Sequence, residues 1–244
     1  MNAISPLAVV QTDYIGSNLE VHEFAIIRPD VEIGNNVIIH PFSVIERGVK
    51  IGNNVEIFSG SVIGKAPKGN STLSRPIDYE EILVVGDNSS IGPNAVIYYD
   101  VSIGENVLIG DGASVREKVN ICSNVIIARY VTINYNVVVG KRTKIMDMTH
   151  ITGNTTIGED VFISVMVGTT NDNYLGSKGF TGGLIKGPLI GDRVRIGIAA
   201  NLLPGVVIGK GALIGASALV TKDVPEKALV MGVPAKVVRY LNDE

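Results

Sequence analysis

The chain has 244 residues, of which 45% are hydrophobic, and this is enough apolar surface to bury an ample core and to argue against disorder. Its formal net charge is −3, its basic residues are scattered and it lacks tryptophan, so we expect neither the basic patch nor the stacking surface of a nucleic-acid-binding protein. The single cysteine, Cys122, excludes an intrachain disulfide and fits a reducing compartment.

The N-terminal segment MNAISPLAVVQTDYIG has neither the basic start nor the apolar run of a secretory signal. Further along the chain, no stretch is apolar enough to predict a membrane-spanning segment. We therefore expect a cytoplasmic protein without a membrane partner.

From Ile15 to Ile63, an aliphatic residue occupies every sixth position. This period differs from that of a helix and from the alternation of a strand, and the short β-branched runs are separated by Gly and Asn, which predicts short strands joined by turns. Glycine recurs at three times this interval, at Gly16, Gly34 and Gly52. Three hexapeptides therefore make one coil, and the predicted cross-section is triangular.

The same period resumes from Val85 to Thr169 and again from Ile190 to Val220. The three blocks contain 30 hexapeptides, which predicts an all-β solenoid of about ten coils whose inward aliphatic side chains stack from coil to coil. We assign residues 1–220 to this solenoid and residues 221–244 to a C-terminal capping segment.

Two breaks interrupt the period and are predicted to be loops. Residues 65–83 are polar and contain Pro and Gly, and residues 171–188 are rich in glycine. Loops of this length inside a compact domain are usually functional. A tolerated surface insertion is the alternative for either of them.

One edge of the predicted solenoid concentrates side chains that can bind or react. In the middle block, two faces carry mostly glycine or another small residue after the inward aliphatic residue, whereas the third carries larger polar and aromatic ones. The second loop departs from this third edge. A solvated edge would also be polar, but the register of Tyr, Arg and Glu favours a site. Its candidate residues are Tyr98, Asp100, Arg116, Glu117, Asn134, Tyr135, Asn171 and Asp172.

The chain has three histidines, and one of them, His150, falls on the same third face, immediately before Ile151. Imidazole is the usual general base near neutral pH, although a lone histidine is more often structural. His22 and His40 are one coil apart and should stack. A zinc site needs three or four converging ligands, so we predict no metal site.

Several segments resemble the hexapeptide-repeat acyltransferases: IGNNVEIFSGSVIG, IGENVLIGDGASV and IGKGALIGASALV, with VTKDVPEKALVMGVPAKVVRYL similar to their C-terminal ending. The resemblance covers almost the entire chain. It implies a left-handed parallel β-helix, a hand that the general crossover rule does not predict. It also implies a homotrimer that uses acyl-CoA or another acyl thioester. The closely spaced histidine pair of the related γ-class carbonic anhydrases is missing here.

In family members that O-acetylate sugars and antibiotics, the second loop opens with a histidine, whereas the matching position here holds Asn171. This replacement favours an amine acceptor, because an amine with a pKa near 8 is partly neutral and attacks a thioester once it is positioned. VFISVMVGTTNDNYLG and VLIGDGASVREKVNI together resemble N-acyltransferases that modify nucleotide-linked amino sugars for bacterial surface polysaccharides. The resemblance implies acyl transfer, most often of acetyl, from acyl-CoA to a dTDP- or UDP-linked amino deoxysugar.

The same resemblance assigns roles to residues. Amine attack also needs a carboxylate to hold or relay the amine proton, for which the candidates are Glu117, Asp100 and Asp172, with His150 as the candidate base. Substrate contacts are expected from Tyr98, Arg116, Asn134, Tyr135, Asn171 and Asp172. Contacts with acyl-CoA are expected on the C-terminal coils from Gly197, Ala199, Ala216, Ser217 and Lys222. The alternatives are an O-acyltransferase or an amino-acid-precursor N-acyltransferase that uses His150 as base, and a scaffold without activity.

Overall fold

The computed structural model describes residues 2–69, 75–179 and 183–242. Within these ranges every regular element is a β-strand, and most strands are two or three residues long. The described part of the chain contains no helix, and so none long and apolar enough to cross a membrane. The all-β class predicted from the six-residue period is confirmed.

The strands form three sheets, which we call A, B and C in the order in which each coil visits them. Sheet A contains Ala3–Ile4, Glu20–Val21, Ile38–Ile39, Glu56–Ile57, Ser90–Ile91, Leu108–Ile109, Ile126–Ile127, Lys144–Ile145, Phe162–Ile163, Arg195–Ile196, Leu213–Ile214, Ala228–Met231 and Lys236–Tyr240. Sheet B contains Val9–Val10, Ile26–Ile27, Val44–Ile45, Val62–Lys65, Val96–Tyr98, Ser114–Val115, Thr132–Ile133, His150–Ile151, Gly168–Thr169, Asn201–Leu202 and Leu219–Val220. Sheet C contains Glu32–Ile33, Val49–Ile51, Leu83–Val85, Val101–Ile103, Val119–Ile121, Val138–Val139, Thr156–Ile157, Leu189–Ile190 and Val207–Ile208.

Each strand pairs in parallel with the strand one coil further along, so Leu108 lies beside Ile126 and Ile109 beside Ile127. This register places every position of a coil over its equivalent in the neighbouring coils. The side chains of Ile109 and Ile127 point inward and are 0% exposed, and equivalent aliphatic residues of all three sheets fill the interior. Burying one such side chain stabilises the fold by roughly 1.5–3 kcal/mol. The predicted left-handed parallel β-helix is confirmed.

The corner between sheets C and A depends on asparagine and glycine. Asn36, Asn54 and Asn88 adopt φ angles of 56°, 54° and 57°, a left-handed region that Asn tolerates better than most residues with a Cβ. The Nδ2 of Asn36 donates to Asn54 and that of Asn54 to Asn88, each at 2.9 Å. A Cβ on Gly34 would lie 2.6 Å from the carbonyl oxygen of Gly52, which explains the glycine recurrence seen in the sequence.

The solenoid has about twelve coils, so the prediction of about ten was slightly too low. The difference arises at the two ends. Ala3–Ile4 and Val9–Val10 form a coil before Ile15, where the period begins. At the other end Ala228–Met231, which we assigned to the cap, pairs in parallel with Leu213–Ile214 and continues sheet A.

Both insertions leave the solenoid at the corner between sheets B and C. The first connects Val62–Lys65 to Leu83–Val85, and the second connects Gly168–Thr169 to Leu189–Ile190. These bounds agree with the loops predicted from the sequence. The coils between the two insertions therefore present a stretch of this corner that has a loop at either end.

Replacing Asn54 by alanine should destabilise the protein more than replacing it by glycine. Both variants lose the amide hydrogen bonds to Asn36 and Asn88, but only alanine brings a Cβ into the left-handed region, at a cost of about 1–2 kcal/mol. The flexibility of glycine in the unfolded chain offsets about 0.5–1 kcal/mol of that difference. We expect the free energy of unfolding of Asn54→Ala, measured with urea, to lie roughly 1 kcal/mol below that of Asn54→Gly. Equal values would contradict the assigned backbone geometry.

Candidate active site

The corner between sheets B and C carries large polar and aromatic side chains in the coils between the insertions. Each coil places three consecutive residues there, directly after a buried residue of sheet B. We call this surface the polar edge. It consists of residues 98–100, 116–118, 134–136, 152–154 and 170–172. The structure brings together on it Tyr98, Asp100, Arg116, Glu117, Asn134, Tyr135, Asn171 and Asp172.

Glu117 lies in the middle of the polar edge and is 0% exposed. Its carboxylate accepts hydrogen bonds from the guanidinium groups of Arg75 and Arg116, the second at 3.0 Å from Nε to Oε2. Burial acts to raise the pKa of Glu117, but the hydrogen bonds from its own backbone N–H and from Arg75, together with the charge of Arg116, lower it below its ordinary value. Glu117 is therefore ionised at neutral pH and holds the two arginines rather than serving as a strong base.

Arg75 comes from the first insertion, and our sequence analysis did not place this loop at the site. Besides binding Glu117, its guanidinium carbon lies 3.8 Å from the centroid of the Tyr135 ring, a cation–π contact. The register of the repeat could have revealed the loop's position. Ile63, the last inward residue before the break, belongs to the same column as Ile97, so the loop had to depart at this corner.

Two further contacts fix the first insertion on the polar edge. The Nζ of Lys118 lies 2.9 Å from a carboxylate oxygen of Asp78. The rings of Tyr79 and Tyr99 stack with their centroids 6.2 Å apart. The insertion thus covers the N-terminal half of the edge, and Glu117 lies beneath it.

At the N-terminal end of the edge, Tyr98 lies between two cations. Its hydroxyl oxygen is 2.7 Å from the Nζ of Lys65, and the guanidinium carbon of Arg116 is 5.2 Å from its ring centroid. One coil beyond Arg116, the half-buried side chain of Asn134 forms no hydrogen bond with the described residues. Lys65 and Arg116 thus lie over the Tyr98 ring, and the side-chain amide of Asn134 can hydrogen-bond to a ligand.

Asn171 begins the second insertion and connects it to the polar edge. Its Nδ2 donates to the carbonyl of Gly153 at 3.1 Å and to the hydroxyl oxygen of Tyr135 at 3.4 Å. Gly153 leaves room for the Tyr135 ring, because a Cβ there would lie 2.6 Å from the ring. The Oδ1 of Asn171 accepts no hydrogen bond from the described residues, so it can accept one from a ligand.

The two aspartates of the polar edge bind backbone groups. The carboxylate of Asp172 accepts hydrogen bonds from the N–H groups of Tyr174 and Gly176, at 2.7 and 2.6 Å, and so shapes the turn of the second insertion. Asp100 occupies a turn position with φ of 59°, and its Oδ2 lies 3.4 Å from the N–H of Glu80. Their proposed roles toward a substrate remain predictions.

His150 lies on the outer face of sheet B, just before the polar edge of its own coil. Its register neighbours are Thr132 and Gly168, and its Nδ1 is 2.7 Å from the hydroxyl oxygen of Thr132. Burial lowers the pKa of His150, which favours the neutral ring that a general base requires. Its role as a base remains a prediction.

The residues predicted to bind acyl-CoA lie at two different corners of the prism. The corner between sheets A and B holds Gly197, Ala199, Ala216 and Ser217, in two successive coils. Lys222 instead follows Leu219–Val220 of sheet B and lies at the corner that carries the polar edge. Within one chain, the width of sheet B separates these corners.

His22 and His40 stack as predicted, with ring centroids 5.2 Å apart, and the Nε2 of His40 lies 2.8 Å from a carboxylate oxygen of Glu56. In the ranges that the structure describes, no three His, Cys, Asp or Glu residues are grouped to hold a metal ion. The rings of His22, His40 and Phe58 stack in succession at the corner between sheets A and B.

Two family profiles match the chain. The family described as bacterial transferase hexapeptide (six repeats) matches residues 14–47, 33–65 and 187–222. The family described as GMPPB C-terminal domain matches residues 79–181. With the coil and its register, these matches support the likeness to the hexapeptide-repeat acyltransferases that the sequence indicates. The amino-sugar branch inferred from the sequence remains a prediction.

Two curated relatives match short segments. One relative is a Schizosaccharomyces pombe protein named as an acetyltransferase. It is 51% identical over 55 residues, which are 22% of this chain and 27% of that protein. The 2,3,4,5-tetrahydropyridine-2,6-dicarboxylate N-acetyltransferase of Staphylococcus aureus is 41% identical over 75 residues, 29% of this chain and 31% of the enzyme. The chain thus spans less than a third of the length of these relatives.

A solved structure covers nearly the whole chain. The UDP-N-acetylglucosamine acyltransferase of Arabidopsis matches 99% of this chain and 73% of its own, with a TM-score of 0.53 and 19% identity. At this level of identity the likeness establishes a shared fold.

Glu117→Gln should change how stability depends on pH. Because the pKa of Glu117 is lowered in the folded protein, its stabilising effect is present above the ordinary carboxyl pKa of about 4.3 and is lost as the pH falls below that value. At pH 7 we expect the variant to lose on the order of 3 kcal/mol, since the partners of a buried pair are left uncompensated. Urea unfolding from about pH 7 to pH 3 should show this deficit shrinking. Glu105→Gln, at an exposed glutamate on another corner, is the control, and a deficit independent of pH would contradict the ion-pair assignment.

Proposed function

We propose that this protein is an acyl-CoA-dependent N-acyltransferase that acylates the amino group of a dTDP- or UDP-linked amino deoxysugar in the synthesis of bacterial surface polysaccharides. The match to the hexapeptide transferase family supports the acyltransferase activity, as do the names of the two sequence relatives. The observation that carries the acceptor class is Asn171, which stands where related O-acetyltransferases have a histidine. Acetyl is the first acyl group to test, and the proposal includes a cytoplasmic homotrimer.

An amine acceptor explains why an amide suffices at this position. The free Oδ1 of Asn171 accepts a hydrogen bond from the acceptor N–H and orients the nitrogen lone pair, but it cannot remove a proton. The neutral amine attacks the thioester carbonyl carbon and forms the C–N bond. The C–S bond then breaks, and the proton released from nitrogen passes to the departing thiolate, which yields an amide and free CoA. An amine with a pKa near 8 supplies enough of the neutral form.

The surroundings of Asn171 suit a nucleotide-linked sugar. Tyr98 and Tyr135 offer aromatic surfaces, and each contacts a guanidinium group, from Arg116 and Arg75 respectively. Guanidinium groups bind phosphate oxygens in a two-pronged geometry. Because both arginines also share the buried Glu117, their positions are fixed before a ligand binds.

The separation of the two predicted half-sites supports an oligomer. The polar edge and the surface at Gly197 and Ala216, which we call the ledge, lie at opposite edges of sheet B. This separation favours a site in which the acceptor amine and the thioester are held by different chains. Under cyclic symmetry the ledge of one subunit meets the polar edge of the next, and each site is completed by a neighbour.

A second candidate function is acyl transfer with His150 as general base, to a hydroxyl or to an amino-acid precursor. Two observations favour it. Burial lowers the pKa of His150 and keeps the ring neutral, and one sequence relative is named as an N-acetyltransferase of tetrahydropyridine-dicarboxylate. In this reaction Nε2 would take the acceptor proton, because Nδ1 already contacts Thr132.

A thioester-cleavage assay distinguishes these functions. Nucleotide-linked amino sugars, their hydroxyl analogues and dicarboxylic amines are each supplied with acetyl-CoA and longer acyl-CoAs. We expect turnover with amino sugars, a loss on the order of 10²-fold in kcat/KM for Asn171→Ala, and near-normal turnover for His150→Ala. Asn120→Ala, at an exposed position of sheet C, is the control. A loss of roughly 10²-fold or more in the kcat/KM of His150→Ala would favour the histidine-base reaction. A protein that neither binds CoA nor turns over any of these substrates would be a scaffold without activity.

Mixing two inactive variants tests whether neighbours share a site. Ala216→Tyr blocks the proposed ledge at an exposed position, and Asn171→Ala disables the acceptor half. If each site uses one half from each of two subunits, random mixed oligomers regain about a quarter of the wild-type sites. The matched control mixes Asn171→Ala with Tyr135→Ala, which damage the same half. Recovery in neither mixture, or a monomeric mass in solution, would contradict the shared site.

A further inference from the structure

A cavity of about 440 Å³ lies at the C-terminal end of the solenoid, away from the polar edge. It opens at the corner between sheets C and A. Five cationic side chains line it: Arg193, Arg195, Lys210, Lys227 and Arg239. They come from three successive coils and from the last strand, so the fold rather than a run of sequence brings them together.

The charge of this cavity is opposite to that of the whole chain. Five cations face two carboxylates, those of Asp160 and Glu226, in a chain whose formal net charge is −3. The two oxygens of Asp160 are already hydrogen-bonded to Arg142, which does not line the cavity, at 2.7 and 2.8 Å. The cavity therefore has a strong excess of positive charge.

Elsewhere on the described surface, arginines are paired with carboxylates of neighbouring coils. Arg47 lies 3.1 Å from Asp30, and Arg129 lies 3.1 Å from Asp147. Within the cavity, Lys210 follows this rule at 3.5 Å from Asp192. By contrast, Arg193, Arg195 and Arg239 form no ion pair with any described residue. The carboxylates that share the cavity are those of Glu226 and of Asp160, whose pKa is lowered by its hydrogen bonds from Arg142 and also by the charge of Arg193. Three guanidinium groups that line one cavity without a salt bridge can therefore donate charge-assisted hydrogen bonds to an anion.

Glycine accounts for the shape of the cavity. Gly211 follows Arg193 and precedes Lys227 in the same column of the corner, and its φ of 67° belongs to the left-handed region. Because this position has no side chain, the column has a gap at that level. Arg239 lies across from it on Lys236–Tyr240, the strand that pairs antiparallel with Ala228–Met231. The gap is thus flanked by cations from both directions.

We propose that this cavity binds a small ligand bearing a phosphate monoester or a diphosphate. Guanidinium groups match phosphate oxygens in a two-pronged geometry, and several of them together favour an anion with more than one negative charge over a single carboxylate. The volume suits a small molecule rather than a macromolecule. The inference does not depend on acyl transfer, because it rests on a different corner and different residues from the polar edge.

Inorganic pyrophosphate is the probe for this site. Isothermal titration at low salt should show binding to the full chain, and binding should weaken as salt is raised. The variant Arg193→Gln/Arg195→Gln/Arg239→Gln should bind roughly tenfold or more weakly. These side chains are exposed, so the variant should keep the wild-type melting temperature without ligand. Arg47→Gln, at an exposed and paired arginine, is the matched control and should bind normally. Equal binding by the triple variant, or none by the wild type, would overturn the proposal.

Competition identifies the source of the phosphate. If the cavity takes the phosphate end of CoA, then CoA displaces pyrophosphate and pantetheine does not, and the triple variant weakens CoA binding. If it takes a separate phosphorylated ligand, pyrophosphate and CoA bind together and the variant leaves CoA binding unaffected.

Asp243 and Glu244 follow the cavity residues in the sequence and lie outside the described residues. Pyrophosphate binding that appears only in Asp243→Asn/Glu244→Gln would assign the cavity to the chain's own carboxylates and overturn the proposal.

Discussion

The parallel pairing of each strand with the strand one coil further on is the constraint from which the rest of this structure follows. It stacks the equivalent positions of successive coils into columns, so that the same kind of side chain recurs along each column. Inside, the columns are aliphatic, and each buried residue gains from the hydrophobic effect. At the corners the chain must turn, and the left-handed backbone of the turn favours asparagine and glycine. The polar edge is also a corner, and its left-handed positions hold Asp100, Lys118, Asn136 and Asn154, but the two positions before each of them are open to larger side chains that can carry chemistry.

The sequence predicted the fold well because the fold is periodic. Aliphatic spacing gave the coil, and the columns gave the edge that Glu117, Tyr135 and Asn171 share. It undercounted the coils, since the first and last lie outside the glycine-marked period. The sequence did not predict that Arg75 lies at the site, because the first insertion has no repeat from which the positions of its side chains could be inferred. The residues predicted to bind CoA were assigned by resemblance to the C-terminal coils of the family, and the geometry of the coil places Lys222 at a different corner from the other four.

The buried Glu117 connects the fold to the proposed chemistry. Removing a carboxylate from water is costly, and two arginines around it do little more than offset that cost, so the cluster is weak evidence for stability. Its effect is on position. Arg75 and Arg116 are held in one arrangement by this carboxylate, which adds a buried ion pair to the other contacts between the first insertion and the coil. The same contact lowers the pKa of Glu117 and makes it a weak proton acceptor, so the ion pair gives it a positioning role, while the proton-relay role stays a prediction.

The proposed class of acceptor depends on the presence of an amide at position 171, since an amide can orient an acceptor but, unlike an imidazole, cannot remove its proton. Asn171 donates through Nδ2 to the coil and leaves Oδ1 to a ligand, so its orientation is fixed by the tyrosine and glycine that it contacts. A group oriented in this way positions a nucleophile that donates a hydrogen bond and is reactive in its neutral form, as an amine is. An alcohol also has a hydrogen and lone pairs, but its neutral oxygen is a weak nucleophile that needs a base, and His150 lies on the flat face of sheet B, not at the corner. The choice between nitrogen and oxygen thus reduces to which of these two positions the acceptor reaches.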